Sequence, residues 1–151
     1  MARHPNSLSV LIVDNTPQIL ISLARLFRTN NIRALLARDS SEACAIARRD
    51  YVPIDLVLAN TVAPGLDAYQ AVEVLRAIRP GLRALYMSAR LDRGVIRLEL
   101  TTEGKGSGPL FILAPGSAET GDLIQSIRSA CTQPLRRAAG ATEGPAGWTV
   151  Q

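Results

Sequence analysis

Five short apolar runs, each followed by a stretch with helical spacing or by a turn, set the main constraint on this chain. They are "SLSVLIVD" (Ser7 to Asp14), "IRALLA" (Ile32 to Ala37), "IDLVLAN" (Ile54 to Asn60), "LRALYMS" (Leu82 to Ser88) and "PLFIL" (Pro109 to Leu113). Unbroken apolar runs of this length read as strands buried on both faces. Parallel strands need long crossovers, and strand–helix alternation supplies them. The prediction is an α/β protein with a doubly wound parallel sheet of five strands in the order 2-1-3-4-5.

Punctuation supports the helices. Thr16 can cap a helix with Pro17 in its first turn, and Asn30 and Asn31 can stop it. Asp39 precedes Glu42 by three positions, a capping-box spacing. Asp67 can cap "AYQAVEVLRAIR", which stops at Pro80, and Ser117 to Thr120 can open a last helix with Leu123, Ile124, Ile127 and Cys131 on one face. "LDRGVIRLEL" (Leu91 to Leu100) reads as a short, weak helix and "TTEGKGSG" as a loop. The expected division is a tail over 1–7, one domain over 8–132 and a flexible tail over 133–151, rich in Gly, Ala and Pro. The tail is too short for a helix-turn-helix output module, so the domain is expected to act through its own surface.

Composition excludes several classes. Only two cysteines are present, Cys44 and Cys131, without metal-ligand spacing, so a reduced, cytoplasmic protein is expected. No run of 18 apolar residues or signal-peptide pattern is visible, and no membrane role is expected. The net charge is +4 and Lys105 is the only lysine among 17 basic residues. Aromatic residues make up 4% of the chain, too few to interleave with the arginines, so a nucleic-acid partner is not expected. His4, the single histidine, lies in the N-terminal tail, which leaves no zinc site or His-based triad. "EGKGSG" lacks the first Gly of a Walker loop, since Glu99 stands there. Cys44 reads as a small buried apolar residue, and Trp148 as part of an ordinary tail or a partner anchor.

Ligands of open α/β sheets bind beyond the carboxyl ends of the strands, at the switch point. For the order 2-1-3-4-5 that point lies between strands 1 and 3. Asp14, Asn15 and Asn60 should converge there, with Ser88 and Ala114 lining the same mouth.

At these strand ends the chain resembles the receiver domain of bacterial two-component response regulators. The resemblance covers about Ser9 to Ala130 and rests on "VLIVDNTP", "DLVLANTVAPGLD", "LYMS" and "FILAP", in that order. It implies a flavodoxin-like (βα)5 fold and a role in phosphorelay signalling, with no enzymatic activity of its own. It places Asn60 at the phosphoacceptor position, Asp14 and Asn15 at the acidic pair, Ser88 at the conserved-hydroxyl position, and Ala114 with Pro115 at the Lys-Pro position, whose bond is often cis. It makes Ser88 and Phe111 the switch pair. Departures at Asn15, Asn60 and Ala114 describe a degenerate receiver. An amide is a poor nucleophile and cannot form the acyl phosphate. One carboxylate remains where three would hold a hard cation, so Mg²⁺ binding is expected to be weak or absent, and no other metal or cofactor is expected. Asn60 and Asn15 can instead donate to Asp14 as a fixed polar plug.

Other acids do not replace the lost one. Asp55 begins the third strand, roughly 16 Å from its end at about 3.3 Å per residue. Asp67 reads as a helix cap and Asp92 as a solvated charge. The expected function is a stand-alone, phosphorylation-independent module that binds a histidine kinase or another signalling protein. The expected surface carries Arg90, Arg93, Arg97, Phe111 and Arg128, on the face that the family's fourth helix, fifth strand and fifth helix form and often use for homodimers. The alternative is a small-molecule or anion binder using the vacated pocket.

Overall fold

The computed structural model describes residues 7–102, 108–114 and 120–132. Among the described residues the elements are β1 (Leu8–Val13), α1 (Pro17–Thr29), β2 (Ile32–Ala37), α2 (Ser40–Ala47), β3 (Leu56–Asn60), α3 (Ala68–Ile78), β4 (Ala84–Asp92), β5 (Val95–Thr101), β6 (Leu110–Leu113) and α4 (Thr120–Thr132). They form an α/β fold around a six-stranded sheet of order β2-β1-β3-β4-β5-β6.

The first half follows from the alternation. β1 pairs in parallel with β2 and β3, and β3 pairs in parallel with β4. The helix boundaries are set by local chemistry. The Asp39 carboxylate accepts from the Glu42 amide at 2.8 Å, while Glu42 reaches back to the Arg38 amide at 2.7 Å. Asp67 accepts from the Gln70 amide at 3.1 Å. Pro17 takes the first turn of α1, but the Thr16 side chain makes no capping bond. Asn31 adopts the left-handed conformation, φ 62°, just past the Asn30 cap.

The second half departs from the expected all-parallel order. β4 does not end at Ser88 but continues to Asp92, and "LDRGVIRLEL" is not a helix. Arg93 and Gly94 form a two-residue turn, and β5 returns antiparallel with Asp92 opposite Val95 and Tyr86 opposite Thr101. Both turn residues have positive φ, 53° and 81°, the signature of a type I′ hairpin. A two-residue link can join only antiparallel neighbours. β6, expected next to β4, is thereby displaced one strand outward and pairs antiparallel with β5. Gly108 sits where the chain approaches β6: a Cβ there would lie 1.5 Å from the Leu100 carbonyl oxygen.

The sheet's two faces are covered unequally. One core layer, under α1 and α4, draws side chains from all six strands, from Val10 and Ile32 through Leu58 and Met87 to Leu98 and Phe111. The other, under α2 and α3, stops at Tyr86 of β4. The opposite faces of β5 and β6 carry Arg97, Glu99, Leu110 and Ile112 instead, none of them fully buried.

Candidate functional site

The site is built where β1 and β3 end side by side. Asp14 follows β1 directly and Asn60 is the last residue of β3; both are buried, at 0% and 1% exposure. The pairing of Ile12 with Leu58 and Val13 with Ala59 brings the two ends level. The Asn60 amide nitrogen donates to the Asp14 carboxylate at 2.8 Å and to the Ala89 carbonyl at 2.9 Å. Its amide oxygen accepts from the Ala89 and Val62 backbone amides, each at 3.1 Å. Both donors and both acceptor sites of the side chain are therefore in use.

The pattern with Ala89 is that of a strand rung. A carboxamide carries the same donor–acceptor pair as a peptide group, so Asn60 extends the β3–β4 ladder one step beyond the Asn60–Met87 pair. Thr61 strengthens the junction, its amide donating to the Met87 carbonyl at 2.8 Å. A carboxylate at position 60 could not donate to the Ala89 carbonyl and would face Asp14 as a second negative charge.

The Asp14 carboxylate takes its second hydrogen bond from the Thr16 amide at 3.0 Å. Burial pushes its pKa above the ordinary carboxylate value, and the donors from Thr16 and Asn60 pull it part of the way back. These residues do not fit a hard divalent cation. One buried carboxylate is present, an N–H is aimed at each of its oxygens, and the Asn60 oxygen is occupied by two amides. Among the described residues no three His, Cys, Asp or Glu side chains cluster to hold a metal ion.

The other expected site residues go elsewhere. Asn15 does not join the plug; its amide donates to the Pro64 carbonyl, holding the Pro64–Gly65 turn. Ser88 lies on the sheet face opposite Met87 and Ala89, opposite Glu99 of β5. Phe111 is buried on the Met87 face opposite Leu98. The expected Ser88–Phe111 switch pair is thus split across the two faces, with β5 between them. Ala114 follows β6, three strand spacings or roughly 14 Å from β3. It lines a cavity of about 610 Å³ with Gln18 and Ser22 of α1 and Leu91 at the hairpin end, not the Asn60 mouth. Pro115 and the expected cis bond lie outside the described residues, as do Lys105, Trp148, residues 1–6 with His4, and the expected C-terminal tail.

The expected partner surface also changes. No helix lies between β4 and β5, so the helix–strand–helix face assumed for a homodimer does not form. Arg90 and Arg97 face each other on the hairpin, Arg93 is at its turn, and Phe111 is internal. Arg128 of α4 donates to the Asn30 carbonyl. Asp67 caps α3 as expected, and Asp55, set aside for its distance, accepts from the Ser9 amide at 2.8 Å. The residue that sequence reasoning missed is Ala89, whose backbone completes the plug; ending the strand at Ser88 hid it.

No protein-family model matches the chain. It is 31% identical over 85 residues to the Fimbriae Z protein of Salmonella typhimurium, across 56% of this chain and 40% of that protein. The chain thus matches about two-fifths of the length of this curated relative. Several similar solved structures are receiver domains or response regulators. That of the hybrid histidine kinase CckA is 26% identical with a TM-score of 0.47, over 52% of this chain and 72% of that one. A CheY-like receiver domain protein of Methanospirillum hungatei is 22% identical with a TM-score of 0.47, over 52% and 62%. The response regulator TrrA of Thermotoga maritima, solved with Mg²⁺ and a beryllium fluoride, is 19% identical with a TM-score of 0.44, over 51% and 65%. Among the described residues no helix is long and apolar enough to cross a membrane.

Proposed function

We propose that this chain is a receiver-like signalling module of the two-component type that works by binding proteins and not by accepting phosphate. The observation that carries this reading is the saturation of Asn60 by Asp14, Ala89 and Val62 at the position where a receiver has its nucleophile. A neutral amide there can tie β3 to β4; it has neither the charge nor a free lone pair to attack phosphorus. The role proposed is binding rather than catalysis; among the described residues no three His, Cys, Asp or Glu side chains cluster to hold a metal ion. A histidine kinase or another signalling protein is the kind of partner such a module would meet. The vacated-pocket alternative loses its basis, because the buried amide already occupies the groups a small anion would use.

The test is incubation with acetyl phosphate and Mg²⁺ followed by intact-mass measurement. The wild-type mass is expected to stay unchanged; a stable adduct of one phosphoryl group would overturn the reading. The companion variant Asn60→Asp is expected to lose roughly 2–4 kcal/mol in urea denaturation, since it orphans the Ala89 carbonyl and buries a second carboxylate beside Asp14. A variant as stable as wild type would remove the argument that the amide is a structural plug.

A further inference from the structure

The β4–β5 hairpin breaks local rules in two places, and both involve arginine. Arg90 and Arg97 stand directly opposite each other on adjacent antiparallel strands. Like charges in that position repel. Both are exposed, and among the described residues no hydrogen bond or ion pair holds either one. Arg93 takes the first position of the type I′ turn at φ 53°, where Asn, Asp or Gly is preferred. Its side chain is 94% exposed, and its nearest carboxylate, that of its neighbour Asp92, lies 4.0 Å away. Local violations of this kind are expected where function requires them.

Among the described residues, the sheet face that carries the pair is also uncovered. The α2–α3 core layer stops at Tyr86, so Arg90, Arg97 and Ile112 form an open row across β4, β5 and β6. The neighbouring row is Ser88, Glu99 and Leu110, with Leu110 54% exposed. Glu99 is committed to the Gly108 amide at 3.0 Å. The face therefore offers two guanidinium groups that make no ion pair among the described residues, beside two aliphatic side chains.

We propose that this hairpin face is a docking surface for an acidic, partly apolar segment of a protein partner, with a partner carboxylate seated between Arg90 and Arg97 and apolar side chains against Leu110 and Ile112. A nucleic acid fits less well. The rows that carry the arginines hold no aromatic side chain on which bases could stack, and the aliphatic Leu110 and Ile112 suit apolar side chains of a peptide instead. The surface sits next to the plug: Ala89, which Asn60 grips, immediately precedes Arg90. The proposal rests on the reading of the chain as a protein-binding module and names the chemistry of its partner.

The experiment titrates fluorescein-labelled peptide of alternating Glu and Leu into the full chain and follows anisotropy, with an oligothymidylate of equal charge as the second probe. Wild type is expected to bind the peptide more tightly than the oligonucleotide. Arg90→Ala/Arg97→Ala is expected to weaken peptide binding at least tenfold. Arg48→Ala/Arg49→Ala, which removes the same charge from the exposed end of α2, is expected to leave it within twofold. Arg97→Glu is expected to abolish binding while raising the melting temperature of the free protein, since it turns the repelling pair into an attracting one. Absence of peptide binding, equal loss in both double variants, or tighter binding of the oligonucleotide would each overturn the proposal. Any of these with an unchanged mass after acetyl phosphate would remove the surface alone; a phosphoryl adduct would remove the parent reading whatever the peptide does.

Discussion

Asp14 decides how the site responds to acid. It has no exposed surface, and desolvation raises its pKa above the ordinary 3.8 despite the N–H groups of Thr16 and Asn60. A raised value means that the folded protein holds this proton more tightly than the unfolded chain does. The stability it contributes is therefore fully present below pH 3.8 and is lost as pH rises through the folded value, beyond which the fold carries a buried charge. Glu42 has the opposite sign. Its exposed pair with Arg38 lowers its pKa, so its contribution is present at neutral pH and is lost on acidification. Comparing wild type with Asp14→Asn separates the two. The variant keeps Glu42 but has no acid at position 14. Its side-chain oxygen can accept from Thr16 or from Asn60 but not from both in the native geometry, a pH-independent loss of about 1 kcal/mol. The stability of wild type minus that of the variant should fall as pH rises from below 3.8 to neutrality, read from urea midpoints. A difference that stays constant would show that Asp14 is not the buried titrating group.

At the scale of elements, the hairpin is where sequence and structure part, and its turn provides the test. Arg93 is a non-glycine residue in a left-handed conformation, which costs roughly 1 kcal/mol, and Asn-Gly is the preferred type I′ pair. Arg93→Asn should stabilise the free protein by about 0.5–1 kcal/mol with an unchanged denaturant slope. A destabilised variant would mean that the arginine makes contacts that outweigh its backbone strain. The strand signal was present in the chain. Ile96, Leu98 and Leu100 alternate with Arg97 and Glu99, a period of two, and Arg-Gly sits between two such runs. The three preceding strand–helix units favour a helix there, and Arg is not a typical residue for a positive φ. The caps at Asp39 and Asp67 were legible for the opposite reason: their bonds run to residues three positions away, so sequence spacing alone contains them.

Over the whole molecule, the same logic explains which parts of the site could be foreseen. Asp14 and Asn60 meet because β1 and β3 are neighbours, which the 2-1-3 start of the expected strand order contains. Placing Ala114, Ser88 and Phe111 required the strand after β4 to lie beside it. One intervening strand puts Ala114 and Phe111 out of reach, and Ser88 stays on β4 but on the sheet face away from Phe111, without altering a single motif. The insertion also divides the sheet energetically. β1 and β3 have helices on both faces, whereas β5 and β6 bury only the face under α1 and α4. Less apolar area then resists local opening in the hairpin half, and opening free energies follow buried contacts. Native-state hydrogen exchange should report two tiers: amides of β1 and β3 exchanging only through global unfolding, and those of β5 exchanging about tenfold faster or more, a gap of roughly 1.4 kcal/mol or larger. The plug sits at the border between the tiers, because Asn60 grips Ala89 where β4 leaves its parallel partner β3 and continues into the hairpin. Asn60→Asp should therefore widen the gap, accelerating exchange in β5 more than in β1. Equal protection along the sheet, or equal acceleration by the variant, would mean that the strands open as a single unit and that the amide stabilises them without dividing them.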